Sequence, residues 1–162
     1  MRAYVGVGSN LGDRWGHLAL ARRELRRAPG LKVLRASRVY DTRALDPRQP
    51  RYLNAALELE TALPPERLLA ELLAVERVAL RRREVRWSAR TLDLDLLLYE
   101  DLILRTPRLT LPHPELRVRR FVLGPLAELC PGRCVPGSGV TVKELLGAAP
   151  PHDLHEVGLY PT

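Results

Sequence analysis

Residues 91–99 have the sequence TLDLDLLLY, an apolar run that only Asp93 and Asp95 interrupt. Its length and leucine content are typical of a central β-strand. Residues two apart in a strand share a face, so the two carboxylates are predicted to lie side by side while the leucines around them point into a core. The stretch therefore predicts a buried strand that carries an acidic pair on one face of a sheet.

The segments on either side of this strand predict the rest of the fold. In chain order the predicted elements are a strand at 3–7, a helix capped by Asp13 that ends at Arg27, strands at 32–40 and 52–60, a helix beginning at Pro65, the strand at 91–99, and helices at 121–129 and 140–146. The order strand, helix, strand, strand, helix, strand is the split βαβ pattern of a ferredoxin-like fold. We therefore predict an α+β domain with a mostly antiparallel sheet and helices packed on one of its faces.

The length and composition fit a single domain. The chain has 162 residues, of which 46% are hydrophobic and 28% charged, as in ordinary globular proteins. We predict one domain at residues 1–147 and an irregular, proline-containing C-terminal extension at 148–162. No apolar run approaches the roughly 18 residues of a membrane-spanning helix, and the N-terminus lacks the apolar stretch of a signal peptide. A cytoplasmic protein without membrane contact is expected.

The chain is basic, and almost all of its positive charge comes from arginine. Lysine and arginine together number 26 against 19 acidic residues, for a net charge of +7, and the only lysines are Lys32 and Lys143. Guanidinium groups bind phosphate or carboxylate in a bidentate manner, so anionic partners are one interpretation and a GC-rich genome is the other. A nucleic-acid-binding module with basic loops is an alternative function, but the single phenylalanine leaves no recognisable aromatic pair for stacking bases.

Five arginines and Trp87 lie just before the acidic pair. The arginines are Arg81, Arg82, Arg83, Arg86 and Arg90. Two adjacent carboxylates repel each other unless a cation or proton lies between them, and Mg²⁺ is a hard cation that prefers carboxylate and phosphate oxygens. A polyphosphate held by the metal on one side and by guanidinium groups on the other is the arrangement that phosphoryl transfer requires. A solvated acidic face beside a solvated basic loop is the simpler alternative.

The usual phosphate-binding glycine motifs are missing. The chain has no P-loop, and Gly6, Gly8 and Gly12 do not have the spacing of a dinucleotide-binding loop. His113, in the sequence Leu-Pro-His-Pro, is a candidate hydrogen-bond donor to a phosphate oxygen, although loop histidines are more often structural or merely exposed. Any phosphate site in this chain is therefore expected to depend on arginine and a metal ion.

Several segments together resemble one family, 6-hydroxymethyl-7,8-dihydropterin pyrophosphokinase, from residue 4 to about 147. These segments are GSNLGD at 8–13, YLNAA at 52–56, Glu76, RWSARTLDLD at 86–95, LPHP at 111–114 and RRFVLGPL at 119–126. The resemblance implies transfer of the terminal diphosphate of ATP to the hydroxymethyl group of the pterin, which leaves AMP, in folate biosynthesis. It also implies a monomer that binds these two small molecules and no nucleic acid.

The resemblance assigns roles to individual residues. Asp93 and Asp95 are expected to hold two Mg²⁺ ions. The other catalytic residues are Arg81, Arg83 and Arg90, and the ATP-binding residues are Glu76, Arg81, Arg83, Trp87, Arg90, Arg108, Thr110 and His113. The pterin-binding residues are Thr42, Leu45, Tyr52, Asn54 and Phe121. In this arrangement Tyr52 and Phe121 flank the ring, Asn54 bonds its edge, and Trp87 belongs to a mobile loop that closes over the site.

Three places depart from the usual pattern of the family. Ser88 and Ala89 occupy the positions of a Gly-Pro pair, Arg43 follows Thr42 in place of proline, and Leu80 stands where glycine is common. Such changes alter the backbone freedom of loops, so we expect them to affect loop closure and not the class of reaction. The intact acidic pair also argues against an inactive relative that serves as a partner for another enzyme of the pathway.

Overall fold

The computed structural model describes residues 1–81 and 92–162. Its strands are β1 (Arg2–Ser9), β2 (Leu31–Ala36), β3 (Val39–Thr42), β4 (Tyr52–Thr61), β5 (Asp93–Tyr99), β6 (Leu104–Arg105), β7 (Thr110–Leu111) and β8 (His155–Gly158). Its helices are α1 (Arg14–Arg27), α2 (Pro65–Arg81), α3 (Arg120–Leu129) and α4 (Val142–Ala148). The predicted strands and helices occur in the predicted order, but one predicted strand is split into β2 and β3, and the short strands β6, β7 and β8 are additional to the prediction.

The main sheet has the order β5–β1–β4–β3–β8, and β2 pairs with the other half of β4. Each of these pairings is antiparallel. The central strands β1 and β4 pair along their whole length, from Arg2 opposite Glu60 to Ser9 opposite Leu53. The predicted α+β class with a mostly antiparallel sheet is confirmed.

The predicted strand at 32–40 is interrupted at Ser37. The Ser37 hydroxyl oxygen accepts the backbone N–H of Ala56 at 2.8 Å, and the Ser37 N–H donates to the Ala56 carbonyl at 2.9 Å. Ala36 pairs with Leu57 and Tyr40 with Asn54, so four steps along one strand match three along the other. An extra residue of this kind bends a strand, which explains why one predicted strand is found as two.

Helices cover both faces of the sheet, so the prediction of helices on one face is wrong. Helices α1 and α2 pack on the face formed by residues such as Val5, Leu57 and Leu94. Helices α3 and α4 pack on the opposite face, against Tyr4, Ala56, Leu97 and Leu98. The central strands carry apolar side chains at both odd and even positions, and each set needs its own cover.

The C-terminal extension contributes a strand, which corrects the expectation that it is irregular throughout. Strand β8 pairs with β3, with His155 opposite Asp41. Beyond it, Tyr160 is buried, and its hydroxyl donates to the Leu18 carbonyl of α1 at 2.7 Å. Only residues 149–154 and 159–162 of the extension lack regular structure.

The helices of residues 1–81 and 92–162 are all too short or too polar to cross a bilayer.

Candidate active site

Two glycines of β1 lie opposite the acidic pair of β5. Gly8 pairs with Asp93, and Gly6 pairs with Asp95. Directly opposite residues in antiparallel strands have Cβ atoms about 4.5–5.5 Å apart, so the glycines leave the positions next to the two carboxylates without a side chain. The glycines leave open space beside Asp93, which is half-buried, and Asp95, which is exposed.

Asn54 of β4 continues the same row of residues across the sheet, because it pairs with Gly8. Its side-chain Nδ2 donates to Thr42 Oγ1 at 2.7 Å, and both residues are buried. A Cβ atom on Gly8 would lie 3.0 Å from Asn54 Oδ1 and 3.5 Å from the ring of Tyr52. Glycine at position 8 thus allows an amide and an aromatic ring to approach the acidic pair.

A first cavity, of about 50 Å³, lies where this row meets the start of α3. Its lining includes Tyr52, Asn54 and Phe121, three of the predicted pterin-binding residues, together with Asp93 and Asp95. Tyr52 and Phe121 are half-buried. Aromatic side chains, an amide and a carboxylate pair therefore converge on one small space.

A second cavity, of about 240 Å³, lies beside the first. Its lining includes Arg108, Thr110 and His113, three of the predicted ATP-binding residues, and it also includes Asp95. Asp95 consequently borders both cavities. Three residues of each predicted ligand-binding set therefore line cavities that share the Asp95 carboxylate.

His113 is held against the sheet through its backbone, whose N–H donates to the Leu97 carbonyl of β5 at 3.0 Å. Its ring Nδ1 accepts the backbone N–H of Glu115 at 3.1 Å. Burial lowers the pKa of His113, and Arg119 lowers it further, while Asp95 and Glu115 oppose the shift. A neutral ring whose Nδ1 accepts must carry its proton on Nε2, which makes that atom a hydrogen-bond donor.

Glu76 of α2 contacts the acidic strand from the side. Its Oε1 accepts the backbone N–H of Leu94, the residue between Asp93 and Asp95, at 2.8 Å. Strand β5 ends the sheet, so this N–H belongs to a strand edge that has no neighbouring strand among the described residues. The contact fixes the strand that presents both carboxylates, and the predicted role of Glu76 in binding the nucleotide stays a prediction.

Among the described residues, two further predicted ones, Thr42 and Leu45, do not line either cavity. Leu45 lies in the loop after β3, is 64% exposed and lines neither cavity. Helix α2 ends at Arg81, and Arg83, Trp87 and Arg90 lie outside the described residues. Their roles stay predictions.

Gly6 and Gly8 are site residues that sequence reasoning missed. Their spacing of two residues matches that of Asp93 and Asp95, and this is the signal that could have paired them. The match becomes informative only when β1 and β5 are known to be neighbours in a particular register, because a shift of one residue would place the glycines on the other face.

Comparisons with known proteins identify the family. The model of the 7,8-dihydro-6-hydroxymethylpterin-pyrophosphokinase (HPPK) family matches residues 4–131. A Synechocystis protein named 2-amino-4-hydroxy-6-hydroxymethyldihydropteridine pyrophosphokinase is 44% identical over 144 residues, which cover 89% of this chain and 74% of that protein. A Methylorubrum extorquens protein of the same name is 41% identical over 157 residues, which cover 96% of this chain and 98% of that protein.

Solved structures share the fold. A Plasmodium falciparum HPPK-DHPS crystallised with pteroate matches with a TM-score of 0.71 at 10% identity, and the match covers 91% of this chain and 44% of that one. An HPPK-DHPS in complex with substrates matches with a TM-score of 0.70 at 11% identity, and the match covers 91% of this chain and 43% of that one. This chain therefore spans less than half the length of those two-part proteins. Nothing in the comparisons supports a nucleic-acid-binding module, and the chain belongs to the 7,8-dihydro-6-hydroxymethylpterin-pyrophosphokinase family.

Proposed function

We propose that the open part of the sheet around Asp95 carries out the pyrophosphokinase reaction of this family. The hydroxymethyl oxygen of the pterin attacks the β-phosphorus of ATP, and the bond from that phosphorus to the bridging oxygen of the α-phosphate breaks. The hydroxyl proton is lost, AMP leaves, and the pterin retains the diphosphate as an ester. ATP is thus a co-substrate and not a regulator.

The position of Asp95 between the two cavities carries this proposal. The first cavity offers what a flat heteroaromatic needs, two aromatic side chains and the amide of Asn54, for stacking and for bonds to the ring edge. The second offers Arg108, Thr110 and the Nε2 donor of His113 to phosphate oxygens. A phosphorus atom that passes from one substrate to the other must cross the boundary at which Asp95 lies.

Asp93 and Asp95 fit a magnesium site. They extend from the same face of β5, both line the first cavity, and the two glycines opposite them leave room for an ion and its oxygen ligands. Mg²⁺ is commonly held by one or two carboxylates and completes its shell with water and substrate phosphates. When bound, two such ions would neutralise charge on the triphosphate and lower the pKa of the pterin hydroxyl.

The arginines of the segment before β5 supply the opposite side of the phosphate site in this proposal. Arg81, Arg83 and Arg90 would bind phosphate oxygens and stabilise the charge that develops during transfer, and Trp87 would close over the nucleotide and exclude water. Arg90→Ala should then reduce kcat more than it weakens pterin binding. An unchanged kcat would contradict the phosphate role of Arg90.

We further propose that the chain acts as a monomer in the cytoplasm. The monomer is what the resemblance to the family implies, and both cavities form within a single chain. Sedimentation at the concentrations of the activity assay tests the first point, and a dimer that dissociates with loss of activity would contradict it.

The direct test of the reaction is release of AMP from ATP in the presence of Mg²⁺, measured with and without 6-hydroxymethyl-7,8-dihydropterin. We expect AMP only when the pterin is present, with one pterin diphosphate formed for each AMP. Formation of ADP, or AMP that does not depend on the pterin, would contradict diphosphate transfer. Removal of Mg²⁺ by a chelator should abolish turnover, and full activity without Mg²⁺ would contradict the metal site.

A further inference from the structure

We infer that the C-terminal extension supports the pterin pocket from behind its lining, with His152 and Asp153 as positioning residues for the aromatic side chains that flank the pterin. The inference rests on the proposed location of the pterin between Tyr52 and Phe121. It assigns a function in substrate binding to residues that lie beyond the 4–131 range of the family match.

His152 packs directly on Phe121. The two ring centroids are 5.0 Å apart with an interplanar angle of 51°, a tilted arrangement within the favourable range for aromatic pairs. The His152 side chain is only 10% exposed, and its Nε2 lies 2.8 Å from the Arg43 carbonyl oxygen. Because that oxygen can only accept, Nε2 carries a proton and donates, which fixes the plane of the ring that supports Phe121.

Asp153 holds the other flank of the pocket through the loop between β3 and β4. Its Oδ1 accepts the backbone N–H of Arg43 at 2.9 Å, and its Oδ2 accepts a hydrogen bond from the guanidinium of Arg51. The same guanidinium also bonds Asp41 of β3. Arg51 immediately precedes Tyr52, so Asp153 ties both ends of this loop and thereby fixes where Tyr52 enters β4.

Other contacts anchor the extension independently of these two residues. Strand β8 pairs with β3, and the buried Tyr160 bonds the carbonyl of Leu18. Leu154 lies so close to α3 that a Cβ atom on Gly124 would be 2.5 Å from its Cδ2. A substitution at His152 should therefore leave the extension in place and change only what it presents to Phe121.

The extension also orders the start of the β3–β4 loop at position 43. The Arg43 N–H donates to Asp153, while the Arg43 carbonyl accepts from His152. Both backbone polar groups of Arg43 are therefore bonded to the extension.

The test measures KM for the pterin and KM for ATP separately in full-length variants. For His152→Ala we expect the pterin KM to rise about two- to tenfold, the range of an aromatic pair, while the ATP KM stays constant. His152→Phe retains the ring and should restore the pterin KM, whereas His152→Gln retains a donor to Arg43 and should not. A pterin KM within 1.5-fold (roughly the precision of such assays) for both Ala and Gln variants would overturn the inference.

His155→Ala is the matched control. His155 belongs to the same extension and its Nε2 lies 3.6 Å from Asp153, but its side chain is 68% exposed. It should leave both KM values unchanged. A rise in pterin KM equal to that of His152→Ala would show a general effect of disturbing the extension and would overturn the specific role of His152.

Asp153→Asn tests the second flank. This change keeps the size of the side chain but weakens its hydrogen bonds to Arg51. We expect the pterin KM to rise less than in His152→Ala and the ATP KM to stay constant. An unchanged pterin KM, or equal rises for both substrates, would overturn the role of Asp153.

Phe121→Ala separates this inference from the proposed function. If Phe121→Ala raises the pterin KM strongly and the His152 variants do not, the pocket stands and the inference fails. If Phe121→Ala leaves the pterin KM unchanged, the proposed location of the pterin fails, and the inference fails with it. Thermal unfolding of each variant shows whether an effect on KM accompanies loss of the fold.

Discussion

The two faces of the sheet are made by alternate residues of the same three strands, yet they differ in how completely they are packed. On the face of α1 and α2, Val5, Leu57 and Leu94 are at most 3% exposed. On the opposite face, Leu97 and Leu98 are buried below α3 and α4, but the neighbouring row of Gly6, Gly8, Asn54, Asp93 and Asp95 borders a cavity.

This difference shows how a rigid site can be built on a regular sheet. The packed face stabilises the strands, and the partly open face displays polar groups whose positions those strands dictate. Small residues on β1 create the space, and charged residues on β5 occupy its border. Substitutions on the two faces should therefore affect different properties, and the following variants test that separation.

Asp95→Asn should have the largest effect and should act on turnover alone. The carboxylate borders both cavities and is exposed, so its loss should remove a metal ligand without disturbing the core. Loss of a residue that only hydrogen-bonds a metal ligand reduces metal affinity or activity roughly 10–100-fold. Loss of a direct ligand should reduce turnover by more. The AMP-release assay measures this loss, and thermal unfolding should show no decrease in Tm, since removal of one of two adjacent like charges relieves repulsion.

Retained turnover in Asp95→Asn would contradict the metal role. A parallel loss of Tm and activity would contradict the separation between the two faces.

Leu57→Ala should have the opposite signature. Leu57 is fully buried on the packed face, and truncation of such a residue lowers the free energy of unfolding by about 2–5 kcal/mol. Urea denaturation measures this change. At a temperature where the variant is folded, its KM values should equal those of the wild type; a selective change in one KM would show that the packed face also shapes the site.

Gly8→Ala should weaken binding of the pterin moderately. Its Cβ atom would lie 3.0 Å from Asn54 Oδ1, so the amide or the strand must shift by a few tenths of an ångström. We expect a rise of about tenfold in the pterin KM, a cost similar to that of one perturbed hydrogen bond.

Gly6→Ala is the comparison for Gly8→Ala, because the three atoms nearest to a Cβ there all belong to Leu97, at 3.5–3.7 Å, which is ordinary contact. Equal effects of the two alanines would contradict the importance of Asn54.

Thr141→Ala should have the smallest effect. Thr141 caps α4 with a complete capping box, in which its hydroxyl accepts the Glu144 N–H and the Glu144 carboxylate accepts the Thr141 N–H. Loss of such a cap costs about 1 kcal/mol in the free energy of unfolding. The kinetic constants should not change, because α4 covers the packed part of the second face; an altered kcat would extend the site to this helix.

The sequence predicts best where a local pattern determines the structure. The alternation of Asp93 and Asp95 with leucines predicts a two-faced strand, and both carboxylates do line one cavity. The first six predicted elements follow from apolar periodicity and turn residues in the same way.

What the sequence could not reveal depends on partners far along the chain. The break between β2 and β3 depends on hydrogen bonds between Ser37 and Ala56, and no propensity of Ser37 alone predicts it. The packing of His152 on Phe121 joins residues that are 31 positions apart, in a segment whose prolines suggested irregular structure. Register and packing decide these features, and a single sequence shows neither.

Strand β8 has a consequence for handling the protein. Without it, the outer edge of β3 would expose unpaired backbone N–H and carbonyl groups, the kind of edge on which strands of other molecules add. Proteolysis that removes β8 would thus expose the edge of β3 as a template for aggregation.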